Sequence, residues 1–258
     1  MPSAAGPIVT RMSPNPDRPL LHAVGMTCVM PSSSGGTTLF RGLGLDLVAG
    51  SIVDLTGPSG SGKSSLLTAL ALLNPQASGS LSLDGRESPL VTPQEWRAAV
   101  MYLPQEPRLL GDTVAGTIRS PCGYAVRRPR GRRDRRTAAL LDLLRRPHRR
   151  TSERGPSDSD IRGMLDSLGC TDVELDRPPH DLSGGQRARV ALCRALLAHP
   201  RVLLADEVDA GLDDDSAELV GHSMTEAAAL GMAVLRVRHR ASDGLADRTL
   251  ELRDGVLR

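Results

Sequence analysis

Gly57-Pro58-Ser59-Gly60-Ser61-Gly62-Lys63-Ser64 is a run of residues suited to holding phosphate. It fits G-x-x-x-x-G-K-[ST], in which glycines let the backbone curl until successive N–H groups point inward at anionic oxygens. A helix that starts at Lys63 adds the positive end of its dipole. In such a loop the Lys63 ammonium reaches the β- and γ-phosphates of a nucleoside triphosphate, and the Ser64 hydroxyl can ligate Mg2+. The bland alternative is a chance Gly/Ser turn. Against it, an apolar strand, Ile52–Thr56, enters the loop and a helical run leaves it. Lys63 is also the single lysine of a chain that carries 31 arginines. A compact ammonium is kept where a planar guanidinium would not fit.

Two further groupings could act on the same ligand. Val202-Leu203-Leu204-Ala205 reads as a buried strand that runs into Asp206-Glu207. At the carboxyl edge of a parallel sheet these two acids face the ligand crevice. Asp206 is expected to hold Mg2+, and Glu207 to orient or deprotonate an attacking water. Many surface strands end in acids; the upstream phosphate loop is what gives this pair its meaning. Leu182-Ser183-Gly184-Gly185-Gln186 opens a helix, with Ser183 as N-cap and two glycines that leave backbone N–H groups open to an anion. Taken alone, it is a glycine turn before a helix.

These groups need a scaffold, and the surrounding pattern alternates strands with helices. Leu43, Leu45 and Leu47 repeat with the period of a strand, Ser80–Leu83 runs into an Asp84-Gly85 turn, and Ala99–Leu103 ends at Pro104. Helices are expected over Lys63–Leu73, stopped by Asn74-Pro75, and over Thr137–Leu144, Asp158–Leu168, Ser183–Ala198 and Asp214–Ala229. Val202–Ala205, Ala233–Val237 and Thr249–Leu252 complete the strands, the last turning at Asp254-Gly255. Such alternation implies an α/β fold with a parallel sheet and helices on its faces.

The 258 residues are 40% hydrophobic and 24% charged, as in a soluble globular domain. No apolar run approaches the roughly 18–20 residues of a membrane span, which excludes a channel or permease for this stretch of chain. The first 19 residues hold five prolines and no apolar h-region, so they read as a disordered tail and not a secretory signal. Between Arg127 and Arg154 twelve arginines face Asp134, Asp142 and Glu153, a net +9 that leaves −7 on the remainder. Phe40, Trp96, Tyr102 and Tyr124 are the only aromatic residues, so the interleaved stacking platform of a single-strand nucleic-acid binder is missing. The cysteines, Cys28, Cys122, Cys170 and Cys193, form no close pair and read as free thiols of a reducing cytoplasm.

With Leu182-Ser183-Gly184-Gly185-Gln186 lying just upstream of the strand that ends in Asp206-Glu207, the chain resembles the nucleotide-binding subunits of ABC transporters, from about Leu20 to Arg258. The resemblance implies a P-loop NTPase fold of ABC type: a RecA-like core, an antiparallel β-subdomain, and an inserted helical subdomain at about 106–182. It implies ATP and Mg2+ as cofactors. Gly57 to Ser64, with Ser65, would take the phosphates, and Ser183, Gly184, Gly185 and Gln186 would grip a second ATP across a head-to-tail dimer. Gln105, in Tyr-Leu-Pro-Gln-Glu-Pro, resembles the Q-loop glutamine that touches Mg2+ and water. Asp213 resembles the D-loop aspartate and His239 the switch histidine that contacts the γ-phosphate. ATP hydrolysis would then drive a separate integral membrane permease, with the chain peripheral on the inner, cytoplasmic face, as a homodimer or with a homologous ATPase. Nucleic acid is not an expected partner, and a soluble ATPase acting on nucleic acid or the ribosome is the alternative.

The sequence departs from the family pattern at four places. Met30 stands where an aromatic residue usually stacks on adenine. Asp209 follows Val208 and adds a carboxylate near the expected dimer seam. Arg236, Arg238 and Arg240 crowd the switch. The Arg-rich stretch, about 127–157, is inserted into the helical subdomain; it reads as a solvated loop, or as a surface drawn to anionic lipid headgroups. Leu110-Gly111-Asp112-Thr113-Val114 resembles the small metal (iron) exporters of the family.

Overall fold

The computed structural model describes residues 19–31, 36–123 and 155–258. Most of the expected tail, the Thr137–Leu144 helix and nearly all of the Arg-rich insertion lie outside the described residues. In chain order the elements are β1 (Leu21–Met30), β2 (Thr37–Leu47), β3 (Ile52–Thr56), α1 (Lys63–Leu70), β4 (Ala77–Leu83), β5 (Arg86–Glu87), α2 (Pro93–Ala99), β6 (Val100–Leu103), α3 (Val114–Arg119), α4 (Asp158–Ser167), α5 (Gly184–Leu197), β7 (Val202–Asp206), α6 (Asp214–Ala229), β8 (Ala233–Val237), β9 (Arg248–Arg253) and β10 (Val256–Leu257). An antiparallel sheet runs β2-β1-β4-β5, and a six-stranded sheet runs β10-β9-β3-β8-β7-β6. In the second sheet every pairing from β9 to β6 is parallel.

Strand periodicity divides this core sheet into two faces. Val53, Leu55, Leu204, Leu235 and Val237 point to one face and pack with Leu66, Leu67 and Leu70 of α1 and with the antiparallel sheet. Ile52, Leu203, Ala205 and Val234 point to the other and pack against residues of α3, α4, α5 and α6. Over the inner strands β3, β8 and β7 both faces are covered, and these strands are largely apolar. Their charged residues are Asp54 in β3, Asp206 at the end of β7 and Arg236 in β8, all buried.

The expected elements recur with shifted ends. Helix α1 stops at Leu70, before Asn74-Pro75, because Leu72 takes a left-handed φ of 55°. The Leu73 N–H then donates back to Thr68 O at 2.8 Å, and the Leu72 N–H to Ala69 O at 3.0 Å. Helices α2 and α3 escape the pattern reading because six or seven residues are too few for a helical period to show. Their caps were nonetheless written in the sequence. Thr92 and Glu95 form a reciprocal capping box, and Thr113 accepts from the Gly116 N–H. Strand β1 was hidden for another reason: its pairing with β2 shifts register between Ala23 and Val29 and its pairing with β4 between Val24 and Thr27, which breaks the alternation.

Candidate functional site

The core sheet brings four strand ends to one edge. Val237 pairs with Leu55 on one side and with Asp206 on the other, and Leu103 pairs with Ala205. Gly57, Gln105, Glu207 and His239 therefore leave the sheet within about one rung of each other. This is the carboxyl edge, where α/β sheets bind ligands.

Two glycines of the Gly57–Ser64 loop are fixed by its packing. Gly57 has φ 140°, and a Cβ there would lie 2.2 Å from the backbone oxygen of Leu252. Gly62 caps α1 at φ 99°, with Leu39 and Phe40 already at 3.3 Å from a Cβ position. Lys63 is buried, and its Nζ donates to Gly57 O at 2.9 Å and Pro58 O at 3.0 Å. The ammonium thus lies folded into the loop whose N–H groups would receive phosphate. Ser61 Oγ is buried with no protein partner, and Ser64 and Pro58 to Gly60 are exposed.

Asp206 and Glu207 part company at the strand end. Asp206 continues the strand and is buried; its Oδ2 accepts from the Tyr102 hydroxyl at 2.9 Å, while Oδ1 has no protein partner. Burial first, and then the bond and charge of Asp206, push the Tyr102 hydroxyl well above the ordinary phenol range, so it keeps the proton it donates to Asp206. Glu207 breaks out of the strand with φ 51°. A left-handed non-glycine residue stores about 1–3 kcal/mol of strain that its surroundings must hold in place. Its Oε2 accepts from Gln105 Nε2 at 2.9 Å, and its Oε1 lies 2.7 Å from His239 Nε2. A carboxylate can only accept, so this contact requires the hydrogen on Nε2.

The donor set fits Mg2+ in one particular way. Among the described residues no three His, Cys, Asp or Glu side chains converge into a self-standing metal site. Asp206 Oδ1 is a buried oxygen without a partner, Gln105 keeps its amide oxygen free of its bond to Glu207, and the Ser64 hydroxyl is exposed. Such a set of hard oxygens completes a magnesium shell only when phosphate oxygens and water join it.

The second anion-binding candidate stands apart. Ser183 caps α5: its Oγ accepts from the Gln186 N–H at 3.2 Å, and Gln186 Oε1 accepts from the Ser183 N–H at 3.0 Å. Gln186 Nε2 also donates to Asp172 at 2.7 Å. This turn belongs to the α3–α5 side of the molecule, and among the described residues no hydrogen bond joins Ser183–Gln186 to Gly57–Ser64. Asp213 caps α6, accepting from the Ser216 N–H at 2.8 Å and from its hydroxyl at 2.9 Å. Those bonds, the backbone one foremost, hold its carboxyl below the usual range. Met30 is the last residue of β1, opposite Thr37 and exposed.

Two of the four departures turn out to be one feature that the motif reading missed. Asp209 does not add a free carboxylate at the surface: it is buried and accepts from Arg238 Nε at 3.0 Å. Arg236 Nε donates to Asp54 at 2.6 Å, its Nη2 donates to Asp243 at 2.7 Å, and Arg238 Nη1 lies 2.8 Å from Asp243. The extra charges neutralise one another inside the chain. A clue lay in the sequence: Asp54 and Arg236 are single charges in otherwise apolar core strands, which calls for a partner.

A protein-family model described as ABC transporter matches residues 40–210. The chain is 30% identical over 245 residues to the macrolide export ATP-binding/permease protein MacB of Agrobacterium fabrum, covering 93% of this chain and 34% of that protein. It is 33% identical over 239 residues to MacB of Rhodopseudomonas palustris, covering 90% of this chain and 32% of that one. The chain thus spans about a third of the length of the curated relatives it matches. In fold it is similar to a dimeric ATP-binding cassette in a post-hydrolysis state bound to ADP and Pi, with TM-score 0.72 and 21% identity over 92% of this chain and 96% of that one. It is likewise similar to a bacterial Atm1-family ABC exporter with ATP bound, with TM-score 0.71 and 24% identity over 93% of this chain and 38% of that one.

Proposed function

Since this chain belongs to the ABC transporter family, we propose that it binds and hydrolyses ATP to power a membrane permease. The observation that carries the reading is the junction of Gln105, Glu207 and His239 at the strand edge that also bears the Lys63 loop. Lys63 and the N–H groups of 57–64 hold the triphosphate. Gln105 and His239 fix both oxygens of Glu207, so that the carboxylate is oriented to take a proton from the attacking water. His239 Nε2 carries one hydrogen, which Glu207 takes in this geometry, so donation to the γ-phosphate would follow once bound ATP opens that contact. Mg2+, held by Ser64, Gln105 and Asp206, would neutralise charge on the transferring phosphoryl group.

The Ser183–Gln186 turn lies away from the Lys63 loop of its own chain, which favours a head-to-tail dimer in which each ATP meets the loop of one copy and the turn of the other. Whether the second copy is identical or a homologue changes which ATP Ser183 and Glu207 serve. The permease is proposed as a separate partner on whose inner face the chain sits; no helix among the described residues is long and apolar enough to cross a membrane. The curated relatives named above are macrolide-export proteins, and nothing in them supports the metal-exporter expectation. The test has two arms. Purified protein, alone or with its membrane partner, should hydrolyse MgATP and lose the activity in Lys63→Ala. A tagged chain drawn from host membranes in mild detergent should bring a multi-span protein with it. Recovery only in the soluble fraction, with ribosomes or nucleic acid, would replace this reading with the alternative.

A further inference from the structure

His239 is held from both sides. Arg236 and Arg238 are two residues apart, so both side chains fall on the face of the sheet opposite α1, while Val237 points toward α1. On that far face Arg238 meets Asp209 at 3.0 Å and Asp243 at 2.8 Å. After His239, Arg240 donates to Leu212 O at 2.8 Å and pairs with Asp214. Asp209 and Leu212 belong to the segment that links Glu207 to α6, and Asp214 is the first residue of α6. That segment is closed by its own turns, Ala210 N–H to Glu207 O at 3.0 Å and Leu212 N–H to Asp209 O at 3.4 Å. Its outer residues, Ala210, Gly211 and Asp213, are exposed.

We propose that Arg238 and Arg240 are positioning residues that fasten the His239 turn to the 209–214 segment, so that the place of this segment sets the contact between His239 and Glu207. Neither arginine touches the reacting atoms. Each acts through His239, and a protein surface that presses on Ala210 to Asp213 shifts the histidine with the segment. The catalytic consequence rests on the ATPase reading above; the positional one does not.

The experiment uses the full chain labelled with 15N-histidine. The His239 ring is identified by its absence in His239→Ala, and its long-range 1H–15N correlations are recorded in the wild type, Arg240→Ala, Asp209→Asn and Arg238→Lys. The wild type should show one fixed tautomer with Nε2 protonated. Arg240→Ala, at a partly exposed site that leaves the core intact, should give a ring averaged between tautomers, and Arg238→Lys should lie between the two. Unchanged His239 signals in both Arg240→Ala and Asp209→Asn would overturn the proposal. In turnover, Arg240→Ala should lower kcat about tenfold with KM little changed, and should have no further effect once His239 is alanine. Equal losses in both backgrounds would also overturn it. A wild type without ATP turnover would defeat the functional reading, and the ring spectra would still decide this one.

Discussion

His239 Nε2 lies 2.7 Å from Glu207 Oε1, across the ends of two adjacent parallel strands. With Gln105 Nε2 at 2.9 Å from the other oxygen, the carboxylate is gripped at both corners. The left-handed backbone at Glu207 is what turns it toward these partners. Glu207→Gln keeps the shape and removes the proton acceptor. ATP turnover is expected to fall by about 10²–10⁴, while titration with a fluorescent nucleotide should show binding retained. Unchanged turnover would place the general base elsewhere.

The buried Asp54–Arg236 pair yields a stability prediction. Each side chain is 5% exposed, and they face each other on one rung of the sheet at 2.6 Å. Asp54→Ala removes one of the two carboxylates that hold the buried Arg236, Asp243 being the other, so it should cost about 1.5–3 kcal/mol in urea unfolding. Asp54→Leu combined with Arg236→Met removes that pair, leaves Asp243 to Arg238, and should cost less. A double variant as unstable as the single one would mean that the ion pair holds more than its own two charges.

These charges also mark where sequence reading stopped. The phosphate loop, Asp206-Glu207 and the Ser183 cap were legible because each is local: a few consecutive residues with fixed spacing. Gln105 and His239 came only from the resemblance, since a single glutamine and a single histidine carry no spacing of their own. The partnership of Asp54, Arg236, Asp243, Arg238 and Asp209 was illegible because it spans up to 189 residues of sequence and exists only once β3 and β8 pair. Tyr102 was counted among the scarce aromatics, yet its role as donor to Asp206 depends on the β6–β7 pairing. Short apolar runs marked the core strands β3, β7 and β8 closely, and alternation failed at β1, where the register shifts.

Acid should expose a different weakness. Burial alone would raise the Asp243 carboxyl. The bond from Arg236, the Leu245 N–H and the charges of Arg236 and Arg238 outweigh it and hold the group below the usual range. Its pKa is therefore lower folded than unfolded, where carboxylates titrate near about 3.9. As pH falls through that range the unfolded chain takes up the proton more readily, so the stabilisation is complete above it and is lost on the way down through the folded value. Thermal unfolding recorded between neutral and acid pH should show Tm dropping below about pH 4. Asp243→Asn should start lower at neutral pH and drop less steeply. An identical acid profile in the variant would remove Asp243 from the account.

The last prediction concerns the base of the nucleotide. Met30 ends β1 at 40% exposure, and of the aromatic residues described, Phe40 and Trp96 are buried while the Tyr102 hydroxyl is bound to Asp206. By the family resemblance Met30 would lie beneath adenine, where a thioether offers a polarizable contact without the flat face of a ring. Met30→Tyr should then supply a stacking surface, with a gain of about 0.5–1.5 kcal/mol and a two- to tenfold lower Kd for ATP. The gain should be absent for inorganic triphosphate, which shares the phosphates and lacks the base. That contrast separates stacking from a general tightening of the loop. If ATP affinity does not change, the adenine lies elsewhere and Met30 is an ordinary strand end.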